Sequence, residues 1–358
     1  MSNSEPEVDW AVFIPAVIIV LVCAIPLMIF PESASQILAD GRKIIMTNFL
    51  WLYLIVGISA FLFCLWLVLG RYAHVKLGAP DESPEYSDMH WVAMMFTTAI
   101  GASVIAWGFA EPIFYLQTPP LGIEVGSTKS FEWAHMYPLL HWGIVPWSMY
   151  ALPAVPIAYM LYVKRYPVLR ISSACDGALP KRGRDQIKTI IDILIVLGIV
   201  GGVATSLGLG VPLLSAMLST LFEVPDSMMI KMSVLSLWTL LFGASVYRGL
   251  KSGIKVLADI NIVLAIFAIF FVLIAGPGVF IMDLTVNSIG LMFNNFISTA
   301  TWTDPIENGS FPEDWTGFYW GWWLAYTGMV GLFFGRISRG RTIRQLVLGV
   351  ICWGCLGT

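Results

Sequence analysis

Charge is scarce. Asp, Glu, Lys and Arg make up 12% of the 358 residues, hydrophobic residues 58%, and the mean hydropathy is +0.79. A soluble domain could not hide that much apolar surface from water, so the composition excludes one and implies an all-α, polytopic membrane protein. Metal-ligand spacing is also missing. The four histidines, His74, His90, His135 and His141, form no HExxH or related pattern, and no Ser-His-Asp arrangement is evident, so neither a metal site nor an enzyme is expected. Cysteines are few. Cys23, Cys64, Cys175, Cys352 and Cys355 lie mostly in apolar runs, where a thiol behaves as a small hydrophobe, and no disulfide is expected. CWGC at 352–355 has a redox spacing but sits in an apolar run and not beside a βαβ unit. No basic face suggests nucleic acid. The acidic start SNSEPEVD, followed by a long apolar window, does not fit a cleaved signal peptide.

Long apolar runs are plentiful. Windows able to cross a hydrocarbon core of about 30 Å fall near 10–30, 46–70, 90–117, 135–163, 188–221, 229–247, 255–282 and 315–335. A further window opens near Ile343 and is still apolar at Thr358, so the expectation is a chain truncated after eight spans and part of a ninth. Sixteen of the twenty Lys and Arg residues follow even-numbered spans, whereas 283–314 has five acids and no base. By the positive-inside rule the N-terminus is expected in the cytoplasm of a multi-pass inner-membrane protein, with 283–314 outside. Within that loop, TVNSIGLMFNNFISTAT (285–301) has the pattern of an amphipathic surface helix.

Three spans contain helix-breaking residues, a pattern tolerated in membranes where backbone lines a cavity or is buried in protein. They are AIGASVIAWG (99–108), the pair Gly143 and Pro146, and GIVGGVATSLGLGVP (198–212). For the last, close helix packing is the expected role. Glu111 follows the first break on the outer half of its helix, where an acid needs water or a partner. A structural ion pair or gate contact is expected for it, outside the substrate site.

HWGIVPWSMY (141–150) is rich in aromatics far from the ends of its span. On a continuous helix Trp142 and Trp147 lie about 140° apart with Tyr150 between them. FYWGWWLAY (318–326) sets Trp320, Trp323 and Tyr326 on one face, with Trp322 mostly elsewhere. Two readings stand. One is an interfacial belt or core packing. The other is a cage for a quaternary ammonium, which has no N–H to donate and is held by ring quadrupoles at roughly 0.5–2 kcal/mol per ring. In the cage reading, Gly101 and Ser103 would let backbone approach the ligand's carboxylate.

At these residues the sequence resembles the betaine/choline/carnitine transporter (BCCT) family, from about residue 10 to the end. The motifs are HWGIVPWSMYA (141–151), GFYWGWWLAY (317–326), GRISRGRTIRQ (335–345), SLGLG (206–210) and WGFAEP (107–112). The resemblance implies a LeuT-like inverted-repeat transporter fold. Its parts would be an N-terminal tail with two peripheral helices (1–89), a first five-helix repeat (90–282), an extracytoplasmic helix and loop (283–314) and an incomplete second repeat (315–358), usually in a homotrimer. It also implies a central box of Trp142, Trp147, Tyr150 and Trp323, with Trp320, Trp322 and Tyr326 serving it or the access path.

Departures from the family pattern bear on coupling. AIGAS replaces part of a glycine-rich stretch, Asn261 stands where sodium-independent exchangers carry arginine, and Val330 stands where they carry methionine. The last two favour sodium as coupling ion, with backbone carbonyls near Thr97 and Ile100 as candidate ligands. Ile199 and Val203 in place of threonines point the other way. The expected function is uptake of glycine betaine, choline, carnitine or dimethylsulfoniopropionate, with no cofactor beyond sodium. The alternatives are a sodium-independent exchanger, a proton symporter, an amino-acid symporter and an onium sensor. The arginine-rich 335–345 loop is expected to serve gating or interhelical contact rather than lipid binding.

Overall fold

The computed structural model describes residues 8–99, 102–166, 170–247 and 255–358. Thirteen α-helices occupy the described residues: α1 (Trp10–Ile29), α2 (Pro31–Leu69), α3 (Asp88–Ala99), α4 (Ala102–Gln117), α5 (Thr128–His141), α6 (Ile144–Ala158), α7 (Ile171–Ala174), α8 (Arg184–Phe222), α9 (Met228–Tyr247), α10 (Lys255–Ala275), α11 (Gly278–Ala300), α12 (Phe318–Ile337) and α13 (Ile343–Gly357). Two π-helical turns, Tyr159–Val163 and Pro312–Gly317, extend α6 and precede α12. Among these residues there is no strand, only an isolated antiparallel bridge between Lys76 and Thr342.

Among the described residues, five stretches are long and apolar enough to cross a membrane: Trp10–Ile29, Pro31–Leu69, Thr128–Val163, Arg184–Phe222 and Gly278–Ala300. The other expected windows correspond to shorter or less apolar helices. α12 has 20 residues, but its tryptophans, tyrosines and glycines dilute its hydropathy. One boundary moves. The sequence suggested a span ending near 282 and a surface helix from 285, whereas the chain breaks at Gly276–Pro277 and continues as the single helix α11. Pro277 has no N–H and its ring blocks continuation of α10; its carbonyl accepts the Ile281 amide at 3.0 Å in the first turn of α11.

The chain divides into two compact units. One comprises Met1–Trp91, Ile144–Gly202 and Ile297–Ile351, the other Val92–Gly143, Val203–Phe296 and Cys352–Thr358. In the first unit, α2 buries Leu50, Leu54, Gly57, Ala60, Cys64 and Leu67, a stripe at helical spacing. A Cβ on Gly57 would lie 2.8 Å from Nε1 of Trp320 and 2.9 Å from Cε of Met149. α12 meets α6 through Gly331 and Gly335, where an added Cβ would lie 2.8 Å from Cγ of Pro153 and 3.1 Å from the Ala154 carbonyl oxygen. Without a hydrophobic drive between helices in lipid, such small residues let dispersion contacts form at close range. The glycines of α8 divide: Gly198 and Gly202 face Ala325 and Tyr326 of α12, while Gly201 and Gly208 have open space. In the second unit Gly210 faces Trp238, whose ring would lie 2.9 Å from an added Cβ.

The connection after α2 is tied to the turn between α12 and α13 within the first unit. The Leu77 amide donates to the Arg341 carbonyl at 2.8 Å, and Gly340 donates back to Leu77 at 2.8 Å. Acids at three-residue spacing then meet the arginines: Glu82 with Arg339 at 2.6 Å, Glu85 with Arg336 at 3.0 Å, and Asp88 with Arg341. An N–H from Ala79 and the Arg339 charge hold the Glu82 carboxyl below its usual pKa. Arg341 is the anchor. Its side chain is 5% exposed, it donates to the Tyr86 carbonyl at 2.9 Å, and its guanidinium lies 4.5 Å from the Trp91 ring centroid.

Arg341→Ala should destabilise the full-length protein by about 2–3 kcal/mol, through a lost cation–π contact and an orphaned carbonyl. Arg339→Ala, whose side chain is 48% exposed, should cost under about 1 kcal/mol. Thermal unfolding in detergent checks the order; equal losses would remove Arg341 as the anchor.

Candidate functional site

HWGIVPW stops one helix and starts another. α5 ends at His141, and Trp142 takes a cap conformation with φ −113° and ψ 7°, its amide donating to the Pro138 carbonyl at 2.9 Å. A Cβ on Gly143 would lie 2.1 Å from the Leu139 carbonyl oxygen, so only glycine fits the bend. α6 begins at Ile144, which places Pro146 in its first turn, where a missing N–H costs nothing. The continuous helix assumed for 142–150 is therefore not what the sequence forms, and the helical angle between Trp142 and Trp147 does not apply.

In the first unit the structure brings Trp147 and Tyr150 of α6 against Trp323 of α12. Ring centroids lie 5.5 Å apart for Trp147 and Trp323, 4.8 Å for Tyr150 and Trp323, and 5.6 Å for Trp147 and Tyr150. The interplanar angles are 68°, 52° and 88°, the geometry of walls meeting at a corner and not of a stack. Trp147 is 1% exposed, Trp323 6% and Tyr150 7%, which is too buried for a headgroup belt within this unit. Phe334, fully buried on α12, adds a fourth ring 6.2 Å from Trp147. It was missed in the sequence, although eleven residues are almost a whole number of turns and put it on the face of Trp323.

The other candidates have contacts of their own. Trp320 packs over Gly57 of α2, and Trp322 lies near Phe318 and Tyr319, with centroids at 5.8 and 6.1 Å. Tyr326 rests on Gly202 of α8. Trp142 belongs to the second unit. Its indole N–H donates to Oε1 of Glu111 at 2.6 Å, and Tyr115 donates its hydroxyl to Oε2 of Glu111 at 2.9 Å. The Tyr115 oxygen is also 2.8 Å from Nδ1 of His141. Glu111, Tyr115 and His141 are all fully buried, so the acid expected to need a partner has an indole and a phenol.

The Thr97 hydroxyl donates within α3, to Ala93 at 2.8 Å or Met94 at 3.3 Å. Ile100 and Gly101 lie outside the described residues, and Ser103 and Asn261 are described in backbone only.

A corner of three mutually inclined rings offers electron-rich faces to a cation without asking it for an N–H. It suits an onium head better than a primary amine, which wants acceptors.

Comparison with known proteins bears on the family of the chain. The model of the "BCCT, betaine/carnitine/choline family transporter" matches residues 11–358. The glycine betaine transporter OpuD of Bacillus subtilis (strain 168) is 37% identical over 336 residues, 92% of this chain and 65% of that relative. The chain thus spans just under two thirds of the length of this relative. A family match over nearly the whole chain and this relative together place it: the chain belongs to the betaine/carnitine/choline transporter family, a family of transporters and not of enzymes, and its described residues include helices long and apolar enough to cross a membrane.

Proposed function

We propose that this protein performs secondary active uptake of a quaternary-ammonium or related onium solute, glycine betaine first, with choline, carnitine and dimethylsulfoniopropionate as further candidates. The observation that carries the proposal is the mutual contact of Trp147, Tyr150 and Trp323, supported by the glycine betaine named as substrate of the Bacillus relative. In this reading the three rings hold the onium head, and Trp142, Trp320, Trp322 and Tyr326 serve the box or the access path. Gly101 and Ser103 are the partners proposed from the sequence for the solute's carboxylate.

The architecture proposed with it is the inverted-repeat plan, 90–282 and the start of a second repeat at 315–358, in a homotrimer of the inner membrane with a cytoplasmic N-terminus. Sodium is the proposed coupling ion, with carbonyls near Thr97 and Ile100 among its ligands, supported by Asn261 where exchangers of the family carry arginine. A second reading, proton coupling or exchange, is favoured by Ile199 and Val203 in place of threonines.

In cells lacking their own betaine carriers, the complete reading frame should take up glycine betaine, with glycine failing to compete. Equal competition by glycine would mean that the rings are packing. Replacing external sodium with potassium should abolish uptake; uptake that persists would select the exchange or proton reading. Trp323→Ala should weaken binding about 10-fold or more, whereas Trp323→Phe should retain most of it, because a ring face is worth roughly 0.5–2 kcal/mol. Unchanged affinity in a correctly inserted alanine variant would remove Trp323 from the site.

A further inference from the structure

We infer that Gly202 sets the size of the onium head this protein accepts, by leaving the ring of Tyr326 room to lean back onto α8; the inference rests on the onium reading above. Gly202 is buried, while Gly201, Val203 and Ala204 beside it are exposed. A Cβ on Gly202 would lie 2.8 Å from Cε2, 3.0 Å from Cζ and 3.1 Å from Cδ2 of Tyr326. These separations are shorter than carbon–carbon contact at about 3.5–4.0 Å, so something must move.

The helices have little freedom to part. Gly198, one turn earlier on α8, would place a Cβ 2.9 Å from the Ala325 carbonyl oxygen. Gly328 of α12 is similarly pressed by Ile195 and Ile171 at 2.8 and 2.9 Å. The part able to yield is the far end of the tyrosine side chain, which swings about its χ angles away from α8. Tyr326 lies three residues beyond Trp323, on the same face of α12, the face that carries Trp323 to Tyr150 at 4.8 Å between ring centroids. The displaced ring therefore advances toward the Trp147, Tyr150 and Trp323 corner. A methyl on α8 becomes a loss of about a methyl's space on the far side of the ring.

One methyl in a tight apolar site is worth roughly 10–200-fold in discrimination. Full-length protein would be assayed for binding and uptake of glycine betaine and of N,N-dimethylglycine, which is one methyl smaller. Gly202→Ala should lower the preference for glycine betaine over N,N-dimethylglycine by about five-fold or more, a part of that range. Gly208→Ala, which meets open space, should leave the preference as in the parent. An unchanged ratio in inserted Gly202→Ala, or equal weakening of both solutes, would overturn the inference. If Gly202→Ala does not reach the membrane, Tyr326→Leu tests the same wall. It should raise affinity for the triethyl analogue of glycine betaine relative to glycine betaine itself, and no such gain would overturn the inference. A parent protein that binds neither methylated solute would instead sink the onium reading, and this inference with it.

Discussion

A helix that stops inside a hydrocarbon layer leaves amides and carbonyls that no water can satisfy. The stop at Trp142 and Gly143 meets that constraint locally. The Trp142 amide returns to Pro138 at 2.9 Å, and the Trp142 carbonyl accepts the Thr358 hydroxyl at 2.6 Å. The tryptophan side chain is held as firmly as its backbone, because its N–H ends on the buried carboxylate of Glu111. Once the break is satisfied, α6 can begin afresh at Ile144 in a register of its own, and that register sends Trp147 and Tyr150 toward α12.

What α6 presents is then fixed by how closely α12 can lie. Gly331 and Gly335 remove the side chains that would hold the two helices apart, and the rings of Trp147, Tyr150 and Trp323 meet within 4.8–5.6 Å. Ring contact of this kind adds about 0.5–1.5 kcal/mol per pair beyond burial, so the corner helps to hold the packing that creates it. Small residues at the seam and large ones beside it form one device.

Much of this was legible in the residues. α1, α2 and α8 follow from apolar windows, and the association of Trp147, Tyr150 and Trp323 follows from their faces and from resemblance. Gly143 and Pro146 were visible as breakers, but periodicity assumes a register that carries through, so it could not show that α6 starts anew. The Gly276-Pro277-Gly278 breaker was masked by the apolar continuity around it. The partners of Glu111 were hidden for a different reason. Tyr115 is a local i+4 neighbour, while Trp142 caps the end of α5 and meets Glu111 only through the packing of α4 with α5. Similarly, Glu82, Glu85 and Asp88 oppose Arg339, Arg336 and Arg341 in turn across a span of more than two hundred residues, a pairing that no local pattern encodes.

The Trp91 ring has neighbours on more than one side. The Arg341 guanidinium lies 4.5 Å from its centroid, its indole N–H donates to the Ser338 hydroxyl at 3.2 Å, and a Cβ on Gly349 would come within 2.1 Å of it. A cation, a hydroxyl and a helix backbone thus share one indole. Energetically, positions 91, 338, 341 and 349 form a single cooperative block: once one member is altered, the loss from altering a second shrinks or grows, because each acts on the same ring. The free energies of substitutions there do not add, and sequence drift at the glycine of α13 is constrained by a charge on the turn before it.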